Sequence, residues 1–235
     1  MIFYSMRLAA LFSGGKDSTY AIYAAKNMGH DINCLVTIFP KSAESHLLHH
    51  PNIQWTKLQS NAMKIPQLTV ESVDEKTYTE TNVLAKILAN AKQTHKIEGL
   101  VHGGIKSNFQ KEQFEKICNK LNLKMISPLW QKQSEAYMDE LLLNNFQFVI
   151  TSVSTDGLDD SWLGRQVSKD DLVTLKYLSN KYSFNLDFEG GEAETFVVNC
   201  PLFSNPVKIK KGEKIWDGYR GRFEIVEAGL DNNAR

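Results

Sequence analysis

The chain is poor in cysteine, in net charge and in long apolar runs, and each shortage narrows what it can be. Its three cysteines, Cys34, Cys118 and Cys200, stand far apart and form no C-x-x-C pair, so neither a disulfide framework nor a zinc pattern is available. Free thiols in a reducing compartment, the cytoplasm, are the expectation. Basic and acidic residues balance at 27 each, which leaves no broad positive field for sequence-independent nucleic-acid binding. No direct nucleic-acid partner is expected. No apolar stretch approaches the ~18 residues of a membrane span, and the opening "MIFYSMRLAALF" lacks a small-residue cleavage site. No membrane association is expected either. There is no internal repeat and no low-complexity linker.

What is present is a rhythm. Short apolar runs, "RLAALF", "DINCLVTIF", "PQLTVESV", "EGLVHGG" and "LKMISPLW", alternate with helical patterns such as "DSTYAIYAAKNMG" and "NFQKEQFEKICNKLN". Strands separated by helices imply an α/β fold, with a five-stranded, doubly wound parallel sheet over residues 1–130. Residues 41–60 read as irregular, with histidines clustered in "SHLLHH". Beyond Trp130 the pattern changes to a smaller α+β domain over 131–235. There a helix leads to "FQFVITSVS", and a second helix runs from about Lys169 to Tyr182 before strand-like segments. "KIKKGEK" reads as an exposed hairpin turn at Lys211–Gly212 rather than a nucleic-acid patch.

The stretch "LFSGGKDSTY" (11–20) carries the first chemistry. A strand-to-helix loop presents helix amides that lack internal partners, and the helix dipole favours an anion there. Gly14 and Gly15 permit close approach of backbone to a phosphate oxygen. Ser13 and Ser18 add hydroxyls, Lys16 a positive charge. The spacing is not G-x-x-x-x-G-K-[ST], because Ala10 stands where its first glycine belongs and Lys16 precedes Asp17. A second glycine pair, Gly103–Gly104 in "VHGGIKSN", follows the fourth strand. If the strand order reverses beside strand 1, both loops face one crevice. A plain tight turn before a capped helix is the other reading of that pair.

S-G-G-x-D-S over Ser13 to Ser18 resembles the PP-loop of the N-type ATP pyrophosphatases. "GLDDSWLGR", "EGGEAETFVVNCPLF", "SPLW", "HHPNI" and "GGIKSNFQ" sharpen the resemblance to diphthine–ammonia ligases, in the compact archaeal-like form. The resemblance runs from about Met6 to Phe203. It implies a PP-loop, HUP-like fold and ATP-dependent amidation, by ammonium, of diphthine on translation elongation factor 2. An acyl-adenylate is formed on the way, and AMP and pyrophosphate are released, with Mg²⁺ beside the phosphates. It also implies that Ser13, Gly14, Gly15, Lys16, Asp17, Ser18, Gly103 and Gly104 hold ATP, and that Lys16, Asp17, Glu192 and Glu194 are catalytic. Two readings remain beside it: another PP-loop enzyme that modifies RNA, and a nucleotide-binding sensor without catalysis. The oligomeric state stays open, a homo-oligomer included.

The second half supplies the remaining candidates. Glu189, Glu192 and Glu194 surround the glycines of "EGGEAET", and Glu192 and Glu194 would share one face if the segment is extended. Such a cluster could bind Mg²⁺, hold ammonium, orient the substrate or accept a proton. Glu189, Trp162 and Arg165 are the substrate-binding candidates. Trp130 or Trp162 could meet a quaternary ammonium group or be structural. Arg165 could grip a phosphate or form an ion pair. His49 and His50 form no metal pattern, and no metal ligand is assigned. Four positions depart from the resemblance: His102, Gln131, Asn199 and Cys200.

Overall fold

The computed structural model describes residues 5–39, 52–72 and 77–232; His49 and His50 lie outside them. Two sheets carry the fold. Strands β1 (Arg7–Leu11), β2 (Asp31–Phe39), β3 (Gln67–Glu71), β4 (Gly99–Val101) and β5 (Lys124–Ile126) form an all-parallel sheet in the order β3-β2-β1-β4-β5. The order reverses at β1, so the loops that leave β1 and β4 open side by side at the carboxyl edge. Successive residues alternate between the two faces, as a strand's period of two requires. Leu8, Ala10 and Phe12 enter one core cluster, while Ala9 enters the other with Cys34, Val36 and Ile38. Helices α3 (Thr77–Thr94) and α4 (Asn108–Lys120) cover that second face. Helix α1 (Lys16–Asn27) lies on the first, burying Ser18, Ala21, Ile22 and Ala25.

The second sheet is antiparallel, in the order β7-β6-β9-β8, from β6 (Gln147–Val153), β7 (Ala193–Asn199), β8 (Val207–Trp216) and β9 (Gly221–Leu230). Helices α5 (Ser134–Leu143) and α6 (Lys169–Tyr182) accompany it. The two halves are not packed separately. One cluster joins Leu8, Tyr20 and Val101 to Tyr137, Phe148, Leu175 and Val197. Among the described residues no helix is long and apolar enough to cross a membrane.

Two sequence expectations change. The end of the stretch read as irregular, 41–60, holds a 3-10 turn over Ile53–Trp55 and the start of helix α2 (Thr56–Met63). The inner face of α2 is largely polar: Thr56, Gln59 and Ser60 are buried and hydrogen-bonded beside Ala62 and Met63, so it carries little apolar periodicity. The lysine cluster is not a turn either. Strand β8 runs through Lys211–Gly212 with a register shift, because Gly212 makes room for the Phe223 ring. The chain reverses instead at residues 217–220, where Asp217 Oδ1 accepts the amides of Tyr219 and Arg220.

Candidate active site

The glycine loop after β1 is shaped from both sides. Gly14 has φ +82°, and a Cβ there would lie 2.4 Å from Gln59 Oε1. Its carbonyl accepts Gln59 Nε2 at 2.9 Å and the Val197 amide at 3.0 Å, which ties the loop to α2 and to β7. Gly15 is the N-cap of α1 and offers no side-chain oxygen to the first-turn amides. The Lys16 amide donates to Thr195 Oγ1 at 3.1 Å. Ser13 Oγ and Ser18 Oγ lie 3.0 Å apart.

Lys16 is almost wholly enclosed, 2% exposed. Its ammonium donates to the Asp187 carbonyl at 2.6 Å and to Asp17 Oδ2 at 3.0 Å, and it stands 5.4 Å from the Phe188 ring centroid. The other oxygen of Asp17 accepts the Tyr137 hydroxyl at 2.8 Å. Burial raises the Asp17 pKa against the opposing pull of Lys16. Buried Asp187 accepts Ser134 Oγ at 2.5 Å and Lys106 Nζ at 2.9 Å. Burial alone would raise its pKa, but those two donors hold it below the usual carboxylate value.

The loop after β4 meets this one. A Cβ on Gly103 would lie 2.5 Å from the Asp17 carbonyl carbon, so only glycine lets the two strand ends approach this closely. His102 is buried, with Nδ1 accepting the Gly104 amide at 3.1 Å and Nε2 lying 2.7 Å from Ser127 Oγ. Since Nδ1 is the acceptor, the ring proton sits on Nε2. Burial, with Lys111 adding to it, lowers the His102 pKa to about 4. The imidazole is therefore neutral and both nitrogens are engaged.

The third wall is the acidic turn. Glu189 Oε1 accepts the amides of Ile105 (3.0 Å) and Lys106 (3.1 Å) ahead of α4, and burial raises its pKa. Together the three loops enclose a cavity of about 510 Å³, within the range of small-molecule sites. Ser13, Gly15, Lys16, Asp17 and Ser18 line it from the first loop. Gly103 and Gly104, with His102, line it from the second, and Glu189 and Glu194 from the third. Gly14 lies behind the wall as its support.

Other candidates fall elsewhere. Glu192 precedes β7 and does not share a face with Glu194. Its carboxylate accepts Asn185 N at 2.9 Å, Asn185 Nδ2 at 2.6 Å and Gly190 N at 2.9 Å, so it shapes the turn and does not line the cavity. Trp162 is 5% exposed and packed in the main core. Arg165 lies over the Trp162 ring at 4.9 Å and pairs with Asp171, while its carbonyl accepts the Ile150 amide. The segment 157–165 is thus a backbone corner attached to β6. Trp130 already faces a protein cation, Lys111 Nζ at 4.3 Å from its ring centroid. Gln131 holds φ +60°, a left-handed conformation that glycine adopts at least cost. Tyr137, Asp187, Ser134 and Thr195 were not singled out from the sequence. Thr195 belongs to the quoted acidic motif, whereas nothing in the spacing marks the other three.

Comparison with known proteins decides the family. Residues 6–125 match the model of the diphthamide synthase N-terminal domain, and 133–230 that of the diphthamide synthase C-terminal domain. The chain belongs to the diphthamide synthase family. Bos taurus and Homo sapiens proteins named diphthine–ammonia ligase are each 32% identical to it over 228 residues, covering 89% of this chain and 85% of the relative. The Schizosaccharomyces pombe protein of that name is 26% identical and is matched over only 37% of its length. The chain thus spans most of the length of the mammalian relatives and a little over a third of the Schizosaccharomyces pombe one.

Proposed function

We propose that the chain is a diphthine–ammonia ligase: with ATP it converts the carboxylate of diphthine on translation elongation factor 2 to an amide. A carboxylate is a poor electrophile and needs a leaving group. Its oxygen attacks the α-phosphorus of ATP, pyrophosphate departs, and an acyl-adenylate remains. Ammonia then attacks the acyl carbon and AMP leaves. Ser13, Gly15, Lys16 and Ser18 bind the departing pyrophosphate at the open end of α1, where amides and a fixed ammonium meet the charge that develops. Asp17 orients Lys16. Ammonium must lose a proton before it attacks, and Glu189 or Glu194 is the acceptor on the opposite wall.

Mg²⁺ fits this reading as a companion of the nucleotide. Among the described residues no group of three metal-ligating side chains exists, and Mg²⁺ commonly binds through one or two carboxylates together with substrate phosphates. Glu194 is the carboxylate that would face it, and the ion would offset charge on the phosphates.

The observation that carries this reading is that Lys16 and the open start of α1 share one cavity with Glu189 and Glu194. Incubation with ATP, ammonium and diphthine-bearing elongation factor tests it. AMP, pyrophosphate and amide should appear in equal amounts. Release of ADP, or nucleotide turnover without amide, overturns it.

A further inference from the structure

Helix α5 reaches the glycine loop through two side chains one turn apart. Ser134 and Tyr137 stand at i and i+3 and so share a helix face. Tyr137, with no exposure, donates to Asp17 Oδ1 at 2.8 Å, and the other oxygen of that carboxylate accepts Lys16 Nζ at 3.0 Å. Ser134 donates to the Asp187 carboxylate, whose own main-chain carbonyl accepts Lys16 Nζ at 2.6 Å. Both oxygen partners of the Lys16 ammonium are thus anchored by one face of α5. Burial and the neighbouring Asp17 charge push the Tyr137 phenol well above its usual pKa, so it stays a donor.

We propose that Tyr137 and Ser134 are positioning residues that set where the Lys16 ammonium points, by fixing the carboxylate of Asp17 and the carbonyl of Asp187. The inference rests on the reading of Lys16 as the group that meets pyrophosphate. The hydroxyl of Tyr137 is not what docks α5. Tyr20 donates to Glu140 at 2.5 Å and Tyr23 to Asn144 at 2.9 Å, which tie α5 and its end to α1 independently. The Tyr137 ring packs edge-on against Tyr20 at 5.6 Å, a contact that phenylalanine keeps.

The test is a double-mutant cycle on the full chain with Tyr137→Phe, Asp17→Asn and the pair, read both by AMP formation and by calorimetric binding of inorganic pyrophosphate. Tyr137→Phe should lower kcat by about tenfold, the scale of one hydrogen bond to a charged group, with KM for elongation factor unchanged. It should weaken pyrophosphate binding in the same sense. In the Asp17→Asn background the same change should cost nothing further, because the amide has a single acceptor oxygen and no longer links Tyr137 to the Lys16 ammonium. Ser134→Ala should reproduce the effect in weaker form. Equal losses in both backgrounds mean a structural role and overturn the proposal, as does a Tyr137→Phe enzyme with normal rate and pyrophosphate affinity. Where the Asp17→Asn rate is too slow to follow, the pyrophosphate cycle alone decides. A wild-type enzyme that releases no AMP and pyrophosphate defeats the parent reading, an outcome distinct from these.

Discussion

Two segments of the second half, residues 189–195 and residues 157–165, look alike as sequence: each is glycine-bearing, acidic and close to a strand. The folded chain uses them in opposite ways. The first closes the cavity with Glu189 and Glu194 and contributes Thr195 to the Lys16 amide. The second turns inward. Its tryptophan is core, its arginine neutralises Asp171, and its backbone extends the pairing of β6. Segments of similar composition can thus form a corner or a cavity wall, and only the direction their side chains take separates the two.

Four measurements break or sharpen that contrast. The largest effect belongs to the cavity: Lys16→Ala should cut AMP formation by about 10²–10³-fold, the scale of losing one charge-stabilising donor, and should lower the melting temperature as well, because it leaves the Asp17 carboxylate without its buried cation. A rate within threefold of wild type removes Lys16 from the chemistry. Next comes His102, which makes the cavity wall sensitive to acid. Its pKa falls from 6.5 to about 4 on folding. Between those values the unfolded chain binds the proton and the folded chain does not, so stability rises with pH through that window and is lost on acidification. Wild type should lose about 2–3 kcal/mol more than His102→Gln between about pH 7.5 and pH 4.5 in urea unfolding. Equal losses contradict the assignment. Third, Trp162→Leu should cost about 2 kcal/mol of stability and leave KM for elongation factor where it was. A raised KM at full stability would move the corner back into the site. Smallest, Arg165→Ala should cost about 1 kcal/mol, since its pair is half exposed on the arginine side. Its kcat should stay at the wild-type level.

The sheet was legible because its inner strands β1, β2 and β4 are buried on both faces and read as apolar runs between helices. Helix α2 was not, because Thr56, Gln59 and Ser60 stand among its buried residues beside Ala62 and Met63, and their burial depends on hydrogen-bond partners outside the helix. The hairpin turn was misplaced because lysines around a glycine look the same whether Gly212 bends the chain or accommodates Phe223. In the site, the strand-end loops at 13–18 and 103–104 were visible, since topology alone brings them together. Tyr137 and Asp187 were invisible. They reach the loop from more than a hundred residues away, and a tyrosine on an amphipathic helix carries no mark of the carboxylate it will meet.

The single cluster that joins Leu8 to Val197 has a consequence for how the chain comes apart. Neither half can melt while the other keeps its contacts, so heat or denaturant should meet one cooperative body with one transition. A fragment ending near residue 130 would leave Phe12, Tyr20 and Val101 facing water and should precipitate or stay unfolded. Nucleotide grip and acid wall would then be gained and lost together.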